Sequence, residues 1–408
     1  MRKAFKSILL AFTMLIAGTV AYSQVTTSSL SGRVVDQNGE PVIGAAVVAT
    51  HEPSGTVYGA VTNADGRYTI QGMRTGGPYK VDFSSLGYQE ATYTGVTLQL
   101  AETYALDAKI AESSEFLEAT VVVADAASKF AAQEKTGAVT NINSGQITAI
   151  PTVNRSITDV TRLSPYGGNG MSFAGSDGRL ANFTVDGANF NNNFGLSEKL
   201  PGGGNPISID AIEELQVVIS PYDVRQTNFI GGGVNAITKS GTNTFKGTAY
   251  VYHKNENMQG DSVDGEQISG ARAKNRSTTY GFTFGGPIVK NKLFFFVNFE
   301  MQKKPEQTIQ FQTTDKTKIA TLDKIADKLR SDYGYEPGSY TDYPGGTDNM
   351  KILARLDWNI SQNHKLSLRY NNTQNKYWYE PNGNSCDDTS RNKSYKLARA
   401  ASQPLSNH

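Results

Sequence analysis

The chain has 408 residues, with 39 Lys and Arg against 38 Asp and Glu, and its net charge of +1 points to neither nucleic acid nor a strongly acidic partner. A mean hydropathy of −0.41 excludes a bundle of membrane helices, each needing about 20 apolar residues, but leaves room for a membrane barrel whose strands alternate lipid-facing and lumen-facing residues. Forty glycines favour turns and short strands, and the single cysteine, Cys386, allows no internal disulfide and no thiolate metal cluster.

At the start of the chain, Arg2, Lys3 and Lys6 precede the apolar run ILLAFTMLIAGTVA, and small residues follow at Ala21-Tyr22-Ser23. The run is too short to cross a bilayer and has the length of a secretory signal core. Cleavage after Ser23 and a mature start at Gln24 are therefore expected, in an exported protein. No cysteine follows that site, so a lipid-anchored mature end is not expected.

From about residue 30 to residue 110, short alternating strands are broken by turns at close spacing, the pattern of a β-sandwich. Asn38-Gly39 and Asp65-Gly66 read as tight hairpin turns. Asp36, Asn63 and Asp65 could be taken for calcium ligands, but the loop lacks the further carboxylates of such a site and turn chemistry explains them better. The four histidines are scattered and offer no zinc pattern. The block resembles the carboxypeptidase regulatory-like domain through Gly32-x-Val34-x-Asp36, Gly39-x-Pro41, Gly44-Ala45 and Thr62-x-x-x-Gly66-x-Tyr68. That resemblance implies a non-catalytic immunoglobulin- or transthyretin-like sandwich over 24–112.

Residues 113–135 read as a linker containing one strand-prone island, Glu118-Ala119-Thr120-Val121-Val122-Val123. The island suits either a first core strand of the next domain or a strand donor that binds a partner by adding to a sheet edge.

Residues 136–243 mix helix and strand. Two short helices are expected on either side of Pro151, with Ile147, Ile150, Ile157, Val160 and Leu163 at helical spacing. A strand ends at Asp186-Gly187, and a helical turn capped by Ser208 or Asp210 leads into another. Gly231-Gly232-Gly233 reads as a hinge, and Lys239-Ser240-Gly241 closes a strand instead of opening a helix, so no phosphate loop is present. This α/β succession resembles the plug domain of TonB-dependent outer-membrane receptors. The resemblance is carried by Val185-Asp186-Gly187, Ile212-Glu213-Glu214-Leu215-Gln216-Val217 and the series from Gly231, Gly232 and Gly233 through Lys239, Ser240 and Gly241.

After Thr244 the strands lengthen and become aromatic. Leu293, Phe295, Val297, Phe299 and Met301 share one face. Ile352, Ala354, Leu356, Trp358 and Ile360 oppose Lys351, Arg355, Asp357 and Asn359, while Leu366, Leu368 and Tyr370 oppose Lys365, Ser367 and Arg369. Strands of about ten residues, apolar on one side only, suit an outer-membrane barrel. Long and short connections alternate as expected of long outer loops and short periplasmic turns. GGPIVKNKLFFFVNFE resembles the Oar-like branch of the TonB-dependent family. The Asp-Gly region does not match the SusC branch, so a SusD-type lipoprotein partner is not implied.

The expected fold is thus mainly β: a sandwich, an α/β plug, then about five strands of an incomplete transmembrane barrel over 244–408. Five strands cannot close a barrel, and SYKLARAASQPLSNH does not read as a strand, so a fragment is expected. The resemblance implies a receptor in the outer membrane of a Gram-negative bacterium, in contact with outer-membrane lipid. It would bind an extracellular ligand and import it with energy from TonB and its inner-membrane complex, TonB pairing with the island at 118–123. No enzyme, cofactor or metal site is implied. The competing reading is a surface-displayed or secreted adhesin that binds through the sandwich.

Overall fold

The structure is a computed structural model that describes residues 26–112, 120–123, 138–150, 152, 155–191, 200, 205–220, 226, 229–258, 262–263, 266–267, 276–310, 316–337, 342–361, 364–377 and 403–406. Ser23, Gln24, Glu118 and Ala119 lie outside them.

The sandwich is built from β1 (Ser28–Val35), β2 (Ala46–His51), β3 (Thr56–Val61), β4 (Arg67–Met73), β5 (Gly76–Ser84), β6 (Ala91–Leu98), β7 (Thr103–Ala105) and β8 (Ala108–Lys109). One sheet runs β4-β1-β7 with β8 also on β1, and the other runs β3-β2-β5-β6 and continues into β9 (Thr120–Val123). The alternating apolar residues meet between the sheets: Leu30, Val34, Val47, Tyr68, Val81 and Phe83 are all buried. The Tyr68 ring sits edge-on to Phe83 at 5.6 Å, and its hydroxyl donates to the Leu106 carbonyl at 2.7 Å.

Asn38-Gly39 closes a short hairpin as expected: Val35 bridges Pro41 in the antiparallel sense, the Asp36 N–H donates to the Glu40 carbonyl at 2.9 Å and the Val42 N–H to the Val34 carbonyl at 3.0 Å. Beyond the turns the chain changes sheet, since β1 and β2 around Asn38-Gly39, and β3 and β4 around Asp65-Gly66, belong to different sheets. Asp36 and Asn63 hold these crossovers. Each side-chain oxygen accepts from the backbone N–H groups two and four residues on, at 2.8 to 3.0 Å. The local turn was readable; the sheet each strand joined depended on burial across the sandwich.

The plug is a five-stranded mixed sheet ordered β10-β13-β14-β11-β12, from β10 (Val139–Asn143), β11 (Asn182–Val185), β12 (Ala188–Asn189), β13 (Ile212–Val218) and β14 (Gly233–Thr238). Helices α1 (Ser144–Ala149) and α2 (Ile157–Thr161) flank Pro151 as expected, each opened by a capping box, Asn143 with Gln146 and Ser156 with Asp159. Their buried faces, Ile147, Ile157 and Val160, join Phe173, Phe183, Leu215 and Val217 in one core. Ser208 precedes the short helical turn Ile209–Ala211 but makes no capping bond. Gly231 to Gly233 form no hinge either. Gly233 begins the central strand β14, and a Cβ on Gly232 would meet the Phe173 ring at 2.8 Å, so the glycines let the chain press against the plug core.

The third sheet is antiparallel, ordered β15-β18-β19-β20-β21-β22: β15 (Lys246–Lys254), β18 (Ser277–Val289), β19 (Leu293–Gln310), β20 (Asp342–Asn359), β21 (Lys365–Tyr377) and β22 (Gln403–Ser406). A two-residue ladder, β16 (Ser262–Val263) with β17 (Glu266–Gln267), lies between β15 and β18 in the chain. Among the described residues the sheet is open at β15 and β22. β19 and β20 reach 18 residues each, beyond the expected ten, because their ladder continues outward to Gln310 opposite Asp342. Two further elements were not anticipated. Helix α3 (Lys316–Tyr333) occupies the long connection between β19 and β20, and β22 pairs with the far end of β21.

Candidate functional site

In β18 to β21 the burial sense is inverted relative to the sandwich. Asn298, Glu300, Asn349, Lys351 and Arg355 are buried, whereas Phe282, Phe284, Leu356, Trp358, Leu366, Leu368 and Tyr370 are exposed. Only a surrounding apolar medium makes that arrangement favourable, since exposed rings and aliphatics cost free energy in water and buried charges demand partners. The partners come from the wall itself, as in Lys351 with Glu300 and Arg355 with Asp357, and from the plug through Asp186 and Ser208; two luminal apolar residues, Phe296 and Leu353, extend the plug core onto the wall.

The first charged contact forms where the plug chain leaves for the barrel. Asp186 and Gly187 have φ of 49° and 86°, the left-handed pair required by a two-residue turn between β11 and β12. The turn aims the Asp186 carboxylate at β14, where it accepts from the Thr238 N–H at 3.0 Å and the Thr238 hydroxyl at 2.6 Å. Arg369 Nε of β21 lies 3.4 Å from the same carboxylate, and Arg355 Nη1 of β20 lies 4.0 Å away. Arg355 also donates to the Thr238 carbonyl at 2.6 Å and to Asp357 at 2.8 Å. Asp357 accepts in turn from Ser240 at 2.5 Å and Ser367 at 2.6 Å. Two carboxylates thus face two guanidiniums with their lone pairs occupied, which offsets their desolvation. A Cβ on Gly241 would sit 2.4 Å from the Phe295 carbonyl and 2.7 Å from that of Gly286, so the exit strand crosses the wall at backbone contact. Lys239 enters through its backbone N–H, which donates to the Ala211 carbonyl at 2.8 Å.

A second contact centres on Glu300 of β19. It accepts from Lys351 at 2.7 Å, Tyr250 at 2.8 Å and the plug's Ser208 at 2.9 Å. The hydroxyl expected to cap a helical turn is therefore committed to the wall. Arg155 of the plug pairs with Asp210 and places its guanidinium 4.7 Å and 4.4 Å from the ring centroids of Tyr250 and Tyr252.

The sandwich meets both bodies at the end of the sheet that carries the short turns. Asn243 donates to the Pro53 carbonyl at 2.8 Å, Asn359 to the Thr56 hydroxyl at 3.0 Å, and the Lys365 ammonium sits 3.1 Å from the Tyr58 ring centroid. On the plug, Glu214 accepts from the Leu100 N–H at 2.9 Å, and Gln216 donates to the Leu100 carbonyl at 2.6 Å. Burial pushes the Glu214 carboxyl up to about 8. A cavity of about 180 Å³ remains between the three bodies, lined by Arg74, Glu213, Arg355, Asp357, Lys365 and Arg369 among others.

Of the residues singled out in the sequence, Val185, Asp186, Gly187, Lys239, Ser240 and Gly241 come together at the plug exit. Gly231, Gly232 and Gly233 lead into the same strand from its other end. Thr120 to Val123 stand apart, paired in parallel with β6. Missed were Arg155, Glu214, Glu300 and Arg369 as contact residues. For Glu300 and Arg369 the signal was the two-residue spacing of charges opposite an aromatic face, which requires counter-charges on whatever lies inside; Arg155 and Glu214 carried no such signal.

Residues 29–111 match the carboxypeptidase regulatory-like domain, and residues 237–321 match an outer membrane beta barrel domain. A curated relative, the TonB-dependent transporter Oar of Myxococcus xanthus, is 25% identical over 381 residues, 88% of this chain and 34% of the relative. The chain thus spans about a third of the length of the relative it matches. The siderophore receptor PirA of Acinetobacter baumannii superposes with a TM-score of 0.39 at 19% identity, over 59% of this chain and 32% of that one. The outer membrane transporter YddB of Escherichia coli gives 0.41 at 14%, over 59% and 33%. At those scores the superpositions add nothing to what the strand pattern already carries. The chain is mainly β, it joins a carboxypeptidase regulatory-like domain to an outer-membrane barrel domain, and its resemblance to the Oar-like TonB-dependent transporters holds.

Proposed function

We propose that the chain is part of an outer-membrane receptor that binds an extracellular ligand and imports it with force supplied by TonB. The layout in this reading is a signal peptide over 1–23, the sandwich over 24–112, a linker over 113–135, a plug over 136–243 and barrel strands from 244. Glu118 to Val123 is the segment offered to TonB by strand addition, where backbone bonds give grip without a particular side chain. Import is transport with no bond broken, so no catalytic residue is assigned.

One observation carries the reading: a plug held by paired charges on the inner face of a sheet whose outer face is apolar. The position of the sandwich weighs against an adhesin. It contacts Asn243, Asn291 and Asn359 beside the short turns, at the end opposite the long connections, which corresponds to the periplasmic end of an outer-membrane barrel. Protease added to intact cells expressing the full-length gene product separates the two. The receptor reading expects cleavage within 24–112 only after the outer membrane is permeabilised; cleavage on intact cells would favour the adhesin.

A further inference from the structure

The sheet β3-β2-β5-β6 has two ends, and each is in use. At one end, Thr56 and Tyr58 of β3 meet Asn359 and Lys365 at the base of the barrel sheet. At the other, β6 would present a row of unpaired backbone groups, the usual liability of an edge strand. In the structure that edge is covered by β9, with Ala91 opposite Thr120, Thr92 opposite Val121, Tyr93 opposite Val122 and Thr94 opposite Val123. Two residues beyond β6, Leu100 holds Glu214 and Gln216 of the plug through its own N–H and carbonyl. The strand that receives the island is therefore continuous with the grip on the plug.

We infer that the β6 edge of the sandwich is an internal dock for Thr120–Val123, and that a strand-adding partner takes the edge of this segment that faces β6, so that it competes with the dock. The inference rests on the reading above only for the identity of that partner. Four residues in parallel pairing make a short ladder, and parallel pairing is slightly weaker per residue than antiparallel. A partner that pairs along a longer stretch can displace it. The sandwich then holds the segment out of circulation until a strand-adding partner of sufficient length arrives, and its release bares an edge directly linked to the plug contact.

Two double variants of the full-length exported protein test this, in a background with Cys386→Ser and any cysteine beyond residue 408 likewise replaced, so that only the introduced thiols remain. Thr94→Cys with Val123→Cys places thiols on register partners, and Thr94→Cys with Val121→Cys displaces one of them by two residues on the same face. A thermal transition shared with the parent chain confirms that each variant folds. The dock predicts that mild oxidation links the in-register pair at least ten-fold faster. Equal rates would overturn it. The purified periplasmic domain of TonB is then titrated against reduced and oxidised forms of the in-register variant. Competition predicts at least ten-fold weaker binding after oxidation, reversed by reductant; equal binding by both forms would mean that TonB adds to the free edge of β9 and would overturn the competition. In-register cross-linking without TonB binding to the reduced chain would support the dock and remove TonB as the partner.

Discussion

In β4 of the sandwich, Tyr68 and Ile70 are buried while Arg67, Thr69 and Gln71 are exposed. In β20 of the barrel sheet, Lys351 and Arg355 are buried while Leu356 and Trp358 are exposed. Both strands obey the same two-residue alternation, with opposite senses of inside. An alternating strand specifies two faces; which of them turns inward is decided by the medium and by what the other face can pair with. The sandwich resolves this with an apolar core facing a second sheet, and the barrel sheet with charges facing a plug that supplies counter-charges.

The largest effect should come from forcing a charge into the sandwich. Residues 24–112 are expected to unfold cooperatively in isolation, and Val81→Asp, at a position with 0% exposure, should cost more than about 4 kcal/mol and abolish the transition. A cooperative melt in that variant would show that the core tolerates what only the barrel lumen should. In the full-length protein, Glu300→Ala leaves the Lys351 ammonium buried without its closest acceptor, at a cost of about 3–5 kcal/mol. The amount of heat-modifiable, membrane-inserted receptor should fall, and Glu300→Gln with Lys351→Met should recover most of it. On the outer face, Leu368→Lys should cost about 2–4 kcal/mol if the residue lies near the membrane midplane, read as reduced insertion into vesicles. The same change in a water-exposed strand would be almost silent.

Acid separates the regions more gently. Burial, with the Arg74 charge nearby, holds the His51 imidazole down to about 3. The unfolded chain therefore binds the extra proton first, and the sandwich loses stability as pH falls from about 6.5 towards 3, by about 2 kcal/mol between pH 7 and pH 5. His51→Gln should flatten that slope in thermal melts. Glu214 has the opposite sign. Its carboxyl, raised to about 8, favours the sandwich–plug contact while protonated, and that contribution fades as pH rises from about 4.5 to 8. Hydrogen exchange of the Leu100 amide should accelerate over that range beyond its intrinsic pH dependence. The smallest effect expected is Ser156→Ala, which removes one helix cap in the plug for about 1 kcal/mol.

Whatever depended on neighbours in the chain was legible in advance. The helices flanking Pro151, the Asp186-Gly187 turn and the alternating faces of β19 to β21 all follow from local periodicity and turn chemistry. Helix α3 was legible too, since Leu322 and Ala326, its buried residues, stand one turn apart with Leu329 following; its place inside a long connection hid it. The contacts that define the site were not legible. Asp186 meets Thr238 across 52 positions, Glu300 meets Ser208 across 92, and Arg355 meets Thr238 across 117, and no periodicity links such pairs. The glycines before β14 misled for a related reason. Close packing against Phe173 and backbone freedom at a hinge demand the same residue.

The exit at Gly241 also decides how the plug would carry a mechanical load. β10 is the first plug strand in the chain and lies at the sheet edge, with Val139 opposite Val218 and Asn143 opposite Glu214. The fixed point lies at the other end of that ladder, where Ile212 faces Thr238 and the chain is clasped to the wall. Tension applied ahead of Val139 therefore enters the sheet at one end and is resisted at the other. That is a shear geometry, in which the rungs between β10 and β13 share the load instead of opening one after another from an end. A tug from the N-terminal side would be delivered through β13 and β14 to Thr238, Arg355 and Asp357, so load on the edge strand of the plug is passed on to the joint between plug and wall.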